Sequence, residues 1–110
     1  PHSGNTTVIG CFQDSPANRT LPYTASLDLS YNSITVCAET CSAAGFNSPS
    51  AVFGVEYGKQ CFCGTQATFT HRVPAPMSSC GTPCSGNSSE ACGGTGAILV
   101  YSGVCDPGPP

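Results

Sequence analysis

The 110-residue chain carries a net charge of −3 with only three basic side chains, which argues against a nucleic-acid partner. It is 39% hydrophobic and 8% charged, with no Trp, 13 Gly and 10 Pro, so one domain with a thin core and many turns is expected. No apolar stretch approaches the roughly 20 residues of a membrane span, and residues 1–30 lack the basic start and apolar run of a signal peptide; a mature or excised piece with no membrane contact of its own is expected.

In chain order, residues 1–7 are polar and read as a flexible N-terminal segment. Val8-Ile9-Gly10-Cys11-Phe12 is a short apolar run that predicts a strand. Gln13 to Tyr31 holds Pro, Asn, Ser, Thr and Asp with isolated Leu and Tyr, which predicts a long loop with a strand fragment at Leu27-Asp28-Leu29. Asn32 or Ser33 can cap a helix by accepting a bond from a free backbone N–H. Ile34, Cys37, Cys41 and Ala44 then recur at helical spacing as its inward stripe, and Gly45 stands where a left-handed terminating residue is wanted.

Ala51 to Val55 and Gln60-Cys61-Phe62-Cys63 predict a hairpin turning near Tyr57-Gly58-Lys59. Residues 64–79 read as loop, since Pro74 and Pro76 exclude helix. Pro83 and Gly81 oppose a second helical cysteine pair at Cys80 and Cys84. The stretch from Gly86 to Gly96 is Gly/Ser-rich, and Ala97-Ile98-Leu99-Val100-Tyr101 predicts a final strand. Residues 103–110 read as the start of a Pro-rich linker.

Nine cysteines set both framework and compartment. Residues four apart on a helix have Cβ atoms roughly 5–6 Å apart, and residues two apart on a strand share a face at about 6.5 Å, given roughly 3.3 Å rise per residue. A helix bearing Cys37 and Cys41 can therefore be bolted by two parallel disulfides to a strand bearing Cys61 and Cys63, in either order. Each such bridge in a small domain contributes roughly 2–4 kcal/mol, mostly by restricting the unfolded chain. Disulfides persist outside the cytosol, and Asn5-Thr6-Thr7, Asn18-Arg19-Thr20 and Asn87-Ser88-Ser89 are N-glycosylation acceptors. A secreted or cell-surface glycoprotein is the expectation. Zinc could also use these cysteine spacings, but an oxidising compartment favours disulfides, so no metal is expected.

Gly10-Cys11-Phe12 with Asp14, the Cys37/Cys41 pair before Gly45, Tyr57-Gly58-x-Gln60-Cys61-Phe62-Cys63-Gly64, Cys80-x-x-x-Cys84, and Glu90-x-Cys92-Gly93-Gly94 with Val100-Tyr101 together resemble a WSC domain. This is the cell-wall integrity and stress-response component module, common in fungi. The resemblance covers about residues 9–102, and a WSC-like domain over residues 8–102 is expected. It implies an α+β fold, a small disulfide-rich antiparallel β-sheet packed against one α-helix and similar to PAN/apple modules. It also implies the pairs Cys11–Cys80, Cys37–Cys61, Cys41–Cys63 and Cys84–Cys92. Cys105 is a ninth cysteine outside the pattern; it can pair with a cysteine in a following segment, link two chains or stay free, and the first is expected.

The resemblance further implies binding of cell-wall polysaccharide, β-1,3-glucan first. Sugar rings stack their C–H faces on aromatics, and without Trp the task falls to Tyr and Phe. Strand parity turns Phe62 away from the disulfide face, which makes it the expected platform, with Tyr57 beside it. Glu56, Lys59 and Gln60 flank the turn and can hydrogen-bond sugar hydroxyls, and Tyr31, Tyr23 and Phe69 can extend the platform from loops. Phe12, Phe53, Tyr101 and Phe46 are expected to pack internally. Asp14 can reach the same face or fix a turn through its own backbone.

A glycosidase needs two carboxyls roughly 5–9 Å apart across a cleft. Asp14 with Glu56 is the pair to weigh, although a domain this small rarely builds such a cleft. His71 and His2 have no partner at ligand spacing, so neither catalysis nor a cofactor is expected. The leading expectation is a non-catalytic, monomeric carbohydrate-binding module. The alternative is a protein–protein interaction or clustering module of a sensor ectodomain; a defensin-like peptide would be shorter and cationic.

Overall fold

The computed structural model describes residues 6–15, 19–70 and 72–103. Four antiparallel pairings build one five-stranded sheet from β1 (Thr7–Gln13), β2 (Tyr23–Ser26), β3 (Ala51–Glu56), β4 (Gln60–Thr65) and a last strand at Ala97–Ser102. A two-stranded ribbon, β5 (Pro83–Cys84) and β6 (Asn87–Ala91), lies beside it, so the last strand is β7. The order across the large sheet is β1-β7-β3-β4-β2, which puts the final strand between the first and the hairpin. The one α-helix among the described residues, α1 (Ile34–Ala43), crosses one face over β3 and β4, and a 3-10 turn spans Met77–Cys80.

The helix is bounded as its sequence requires. Ser33, not Asn32, is the cap: its hydroxyl accepts from the Val36 N–H at 3.1 Å. At the other end Gly45 takes φ +104°, and the Phe46 and Gly45 N–H groups return to the Cys41 and Ser42 carbonyls, a Schellman closure that only a residue tolerant of the left-handed region makes cheaply. The buried stripe is Ile34, Cys37, Ala38 and Cys41. Ala44 lies outside it, exposed at the cap, because the helix ends before the next inward position.

The four disulfides are Cys11–Cys80, Cys37–Cys61, Cys41–Cys63 and Cys84–Cys92. Cys61 and Cys63 share the helix-facing side of β4 with Phe53 and Val55 of β3, and Tyr101 stacks on Phe53 at a 5.4 Å centroid distance. The opposite face is also a core, built from Val52, Phe62, Ile98 and Val100 of the sheet with Leu21 and Phe69 from loops. Phe12 packs edge-on to Phe69 at 5.3 Å.

Two elements differ from the sequence reading. The strand in the long loop is Tyr23–Ser26, paired to β4, and not Leu27 to Leu29; an edge strand held on one side needs little apolar alternation and leaves a weak signal. The Gly/Ser-rich stretch holds β6, whose residues are mostly exposed and polar, so it too carries no apolar pattern.

Candidate functional site

Where the β3–β4 hairpin turns, at the end of the second core, the loop cover stops and a cleft of about 440 Å³ opens. Asp14 and Ser15 line it from the end of β1, Arg19 from the following loop, Glu56, Tyr57 and Gln60 from the hairpin, and Thr95 and Gly96 from the β6–β7 loop.

Tyr57 is the exposed wall of this cleft. Its φ of +55° is the one positive value at a non-glycine among the described residues, and Gly58 follows at +79°. Asn and Asp tolerate that region far better than a bulky aromatic, yet Tyr57 holds it with its residue surface 51% exposed. The turn is fixed from below by the Gly58 N–H on the Cys92 carbonyl and the Ser85 N–H on the Gly58 carbonyl.

The floor is a buried ionic cluster. Asp14 Oδ1 accepts the Thr20 N–H at 2.7 Å and Oδ2 accepts Arg19 NH1 at 2.6 Å. The same Arg19 nitrogen lies 3.6 Å from Glu56 Oε1. Asp14 and Glu56 are 6% and 5% exposed. Burial, followed by the hydrogen bond to Asp14 and the negative charge of Asp14, pushes the Glu56 carboxyl up to about 8, against a lowering by Arg19. The Glu56 carboxyl therefore holds its proton more tightly than an exposed carboxyl does. Asp14 lines the cleft, and its carboxylate ties the following loop back by accepting the Thr20 N–H six residues on, not by fixing a turn through its own backbone.

Of the residues singled out from sequence, Glu56, Tyr57 and Gln60 meet at the cleft. Phe62 does not. Parity turns it away from the helix as expected, but it is fully buried, with Arg19 lying over its ring at 4.6 Å and Leu21 and Phe69 in its cluster. An exposed platform at Phe62 is thus corrected: the loop after β1 covers it. Phe69 is likewise buried, beneath Arg72 at 4.1 Å. Lys59 pairs with Asp28 at 3.4 Å, and neither it nor Tyr31, 62% exposed, is among the residues lining the cleft. Tyr23 is exposed and packs beside Phe46 at 5.1 Å.

Beside Ser15, which adjoins Asp14, the residues Arg19, Thr95 and Gly96 escaped the sequence reading. A lone arginine inside a sequon has no local pattern to mark it, and the two others reach the cleft only through the sheet order. Asn87 is exposed, with its side-chain oxygen accepting the Ser89 hydroxyl at 2.6 Å. Asn5, Asn18, His2, His71 and Cys105 lie outside the described residues. The sulfurs of Cys37, Cys41 and Cys61 lie within 4.8 Å of one another, but each is consumed by a disulfide and none can ligate a metal.

The WSC domain profile matches residues 8–94. Xylosyltransferase oxt of Drosophila melanogaster is 39% identical over 100 residues, which is 91% of this chain and 11% of that protein. A WSC domain-containing protein of Arthroderma benhamiae is 36% identical over 86% of this chain and 12% of its own length. Kremen protein 2 of Mus musculus is 35% identical over 84% of this chain and 19% of its own length. The chain thus spans under a fifth of each of these curated relatives. By its cysteine framework, its helix-on-sheet architecture and this similarity, the chain belongs to the WSC domain family.

Proposed function

We propose that this domain is a non-catalytic carbohydrate-binding module that attaches a secreted or surface protein to fungal cell-wall polysaccharide, with β-1,3-glucan as the first candidate. The observation that carries the reading is the pairing of an exposed, conformationally strained Tyr57 with a polar floor in one cleft. A tyrosine ring offers a sugar its stacking face, while Gln60 and Glu56 offer hydroxyl partners beneath it. Backbone strain of roughly 1–2 kcal/mol persists where the side chain has a use. Four disulfides support an oxidising, extracellular setting.

Two features support the non-catalytic part. The Asp14 and Glu56 carboxyls meet the same Arg19 nitrogen, at 2.6 Å and 3.6 Å, on a buried floor, and so do not face each other across a cleft as a glycosidase's two carboxyls do. Asp14 is also fully engaged by Arg19 and Thr20. The animal relatives, one of them named a xylosyltransferase, widen the panel of glycans worth testing. Retention on insoluble β-1,3-glucan, chitin, cellulose and xylan is the test. Binding that disappears in Tyr57→Ala supports the reading, and a wild type retained on none of the four removes it.

A further inference from the structure

The tip of the β3–β4 hairpin is held by a second element. The strand pairing closes at Glu56 and Gln60, leaving the three-residue loop Tyr57-Gly58-Lys59. A loop of that length ordinarily runs through a type I turn and ends on one left-handed residue. Here the first two residues are left-handed, at φ +55° and +79°, and the first of them is a tyrosine, which disfavours that region. Gly58 is buried, so its peptide groups need partners. Both come from the disulfide-closed loop Cys84–Cys92. The Gly58 N–H donates to the Cys92 carbonyl and the Gly58 carbonyl accepts the Ser85 N–H, each at 2.9 Å.

That loop is itself fixed. The Cys92 N–H donates to the Thr82 carbonyl at 2.7 Å, and the Thr82 N–H to the Gly93 carbonyl at 2.8 Å. The Ser85 hydroxyl accepts the Asn32 N–H at 2.9 Å, and Glu90 Oε1 accepts the Ile34 N–H at 3.2 Å, which ties the loop to the start of α1. Gly93 lets it close on the hairpin: a Cβ there would stand 2.2 Å from the Val55 carbonyl oxygen and 2.7 Å from Glu56 Cα. We propose that the Cys84–Cys92 loop is the positioning element of the sugar platform: gripping Gly58 from both sides, it holds Tyr57 in the left-handed conformation before a glycan arrives. The inference rests on the glycan-binding reading above and adds what presents its aromatic. A turn free to relax holds Tyr57 left-handed only part of the time, and binding weakens by the fraction lost.

The experiment sets two disulfides against each other. Cys84→Ser/Cys92→Ser opens the loop, and Cys41→Ala/Cys63→Ala, on the helix face, is the control. Calorimetric titration uses oligosaccharides of the glycan best retained by the wild type, at a temperature where each variant is folded by circular dichroism. The control bridge spans 22 residues and the loop bridge 8, so the control loses more stability. Affinity runs the other way: opening Cys84–Cys92 weakens binding about tenfold, while the control stays within about twofold of wild type. Ser85→Ala, at an exposed position, unhooks the loop from Leu29 and Asn32 without touching the disulfide. It weakens binding about threefold.

A second readout needs no ligand. At positive φ the amide proton and Hα of one residue come closest together, so Tyr57 of the free wild type shows a strong intraresidue NOE, which fades in Cys84→Ser/Cys92→Ser. An NOE unchanged in that variant means that the hairpin sets its own turn, and overturns the inference. The same two measurements on Ser85→Ala decide the matter where the opened loop does not fold. Equal affinity losses in the two disulfide variants, or no loss in either loop variant, overturn the inference and leave the functional reading standing. A wild type that binds no glycan removes both readings together.

Discussion

The two faces of the sheet are held by different physics. On the helix face, Cys37, Cys41, Cys61 and Cys63 occupy the central positions, and two disulfides take the place of large apolar side chains. On the other face Phe62, Val52, Ile98 and Val100 pack conventionally under Leu21 and Phe69, and Arg19 lies over the Phe62 ring. The first face is closed by covalent bonds that the helix carries. The second is closed by a loop, and a loop leaves an open end. The cleft lies at that end, where the sheet face runs past its cover.

Phe62→Ala tests the packed face most severely. It empties the centre of that cluster and is expected to destabilise the domain by about 3–5 kcal/mol in denaturant unfolding, although Phe62 is not among the residues lining the cleft. Removing Cys41–Cys63 by double substitution to Ala tests the bolted face. A loss of about 2–4 kcal/mol is expected, and a loss near zero would mean that the helix is held by packing after all.

Glu56 gives the junction between face and cleft a pH signature. Its carboxyl titrates near 4.5 when unfolded and about 8 when folded, so between these values the native state binds more protons than the unfolded chain. Stability from this group is complete below pH 4.5 and is lost as pH rises toward 8. Melting temperature is expected to fall over that window, and Glu56→Gln to flatten the contribution. A wild-type profile that rises from pH 5 to 8 and is unchanged in Glu56→Gln would contradict the assignment of the proton. The smallest expected effect is the most diagnostic of function. Tyr57→Asn relieves the left-handed strain and raises stability by roughly 0.5–1 kcal/mol, while glycan retention is lost.

The bolted face was legible in the sequence because its signal is local. Four residues separate Cys37 from Cys41 and two separate Cys61 from Cys63, and both spacings are geometric statements about a helix and a strand. The hairpin and the final strand were legible for the same reason. The cover over Phe62 was not. Parity says which side a residue faces, but whether a loop lies there depends on Leu21 and Arg19, single residues in a stretch without period. Half the cleft could be read for a related reason. Glu56, Tyr57 and Gln60 are neighbours along the chain, whereas Asp14, Arg19, Thr95 and Gly96 join them only once β7 has inserted between β1 and β3. Asp14 and Glu56 do meet, both buried around one Arg19 nitrogen.

The pairing of β1 with β7 gives the domain a polarity. Thr7 is opposite Ser102 at one end of the sheet, and Gln13 is opposite Ala97 at the other. Asp14, Gly96 and Glu56 belong to the second end, so the polypeptide enters and leaves side by side at the end away from the cleft, about 20 Å off at roughly 3.3 Å per strand residue. A unit wired this way offers both of its attachment points at one end of the sheet and its cleft at the other.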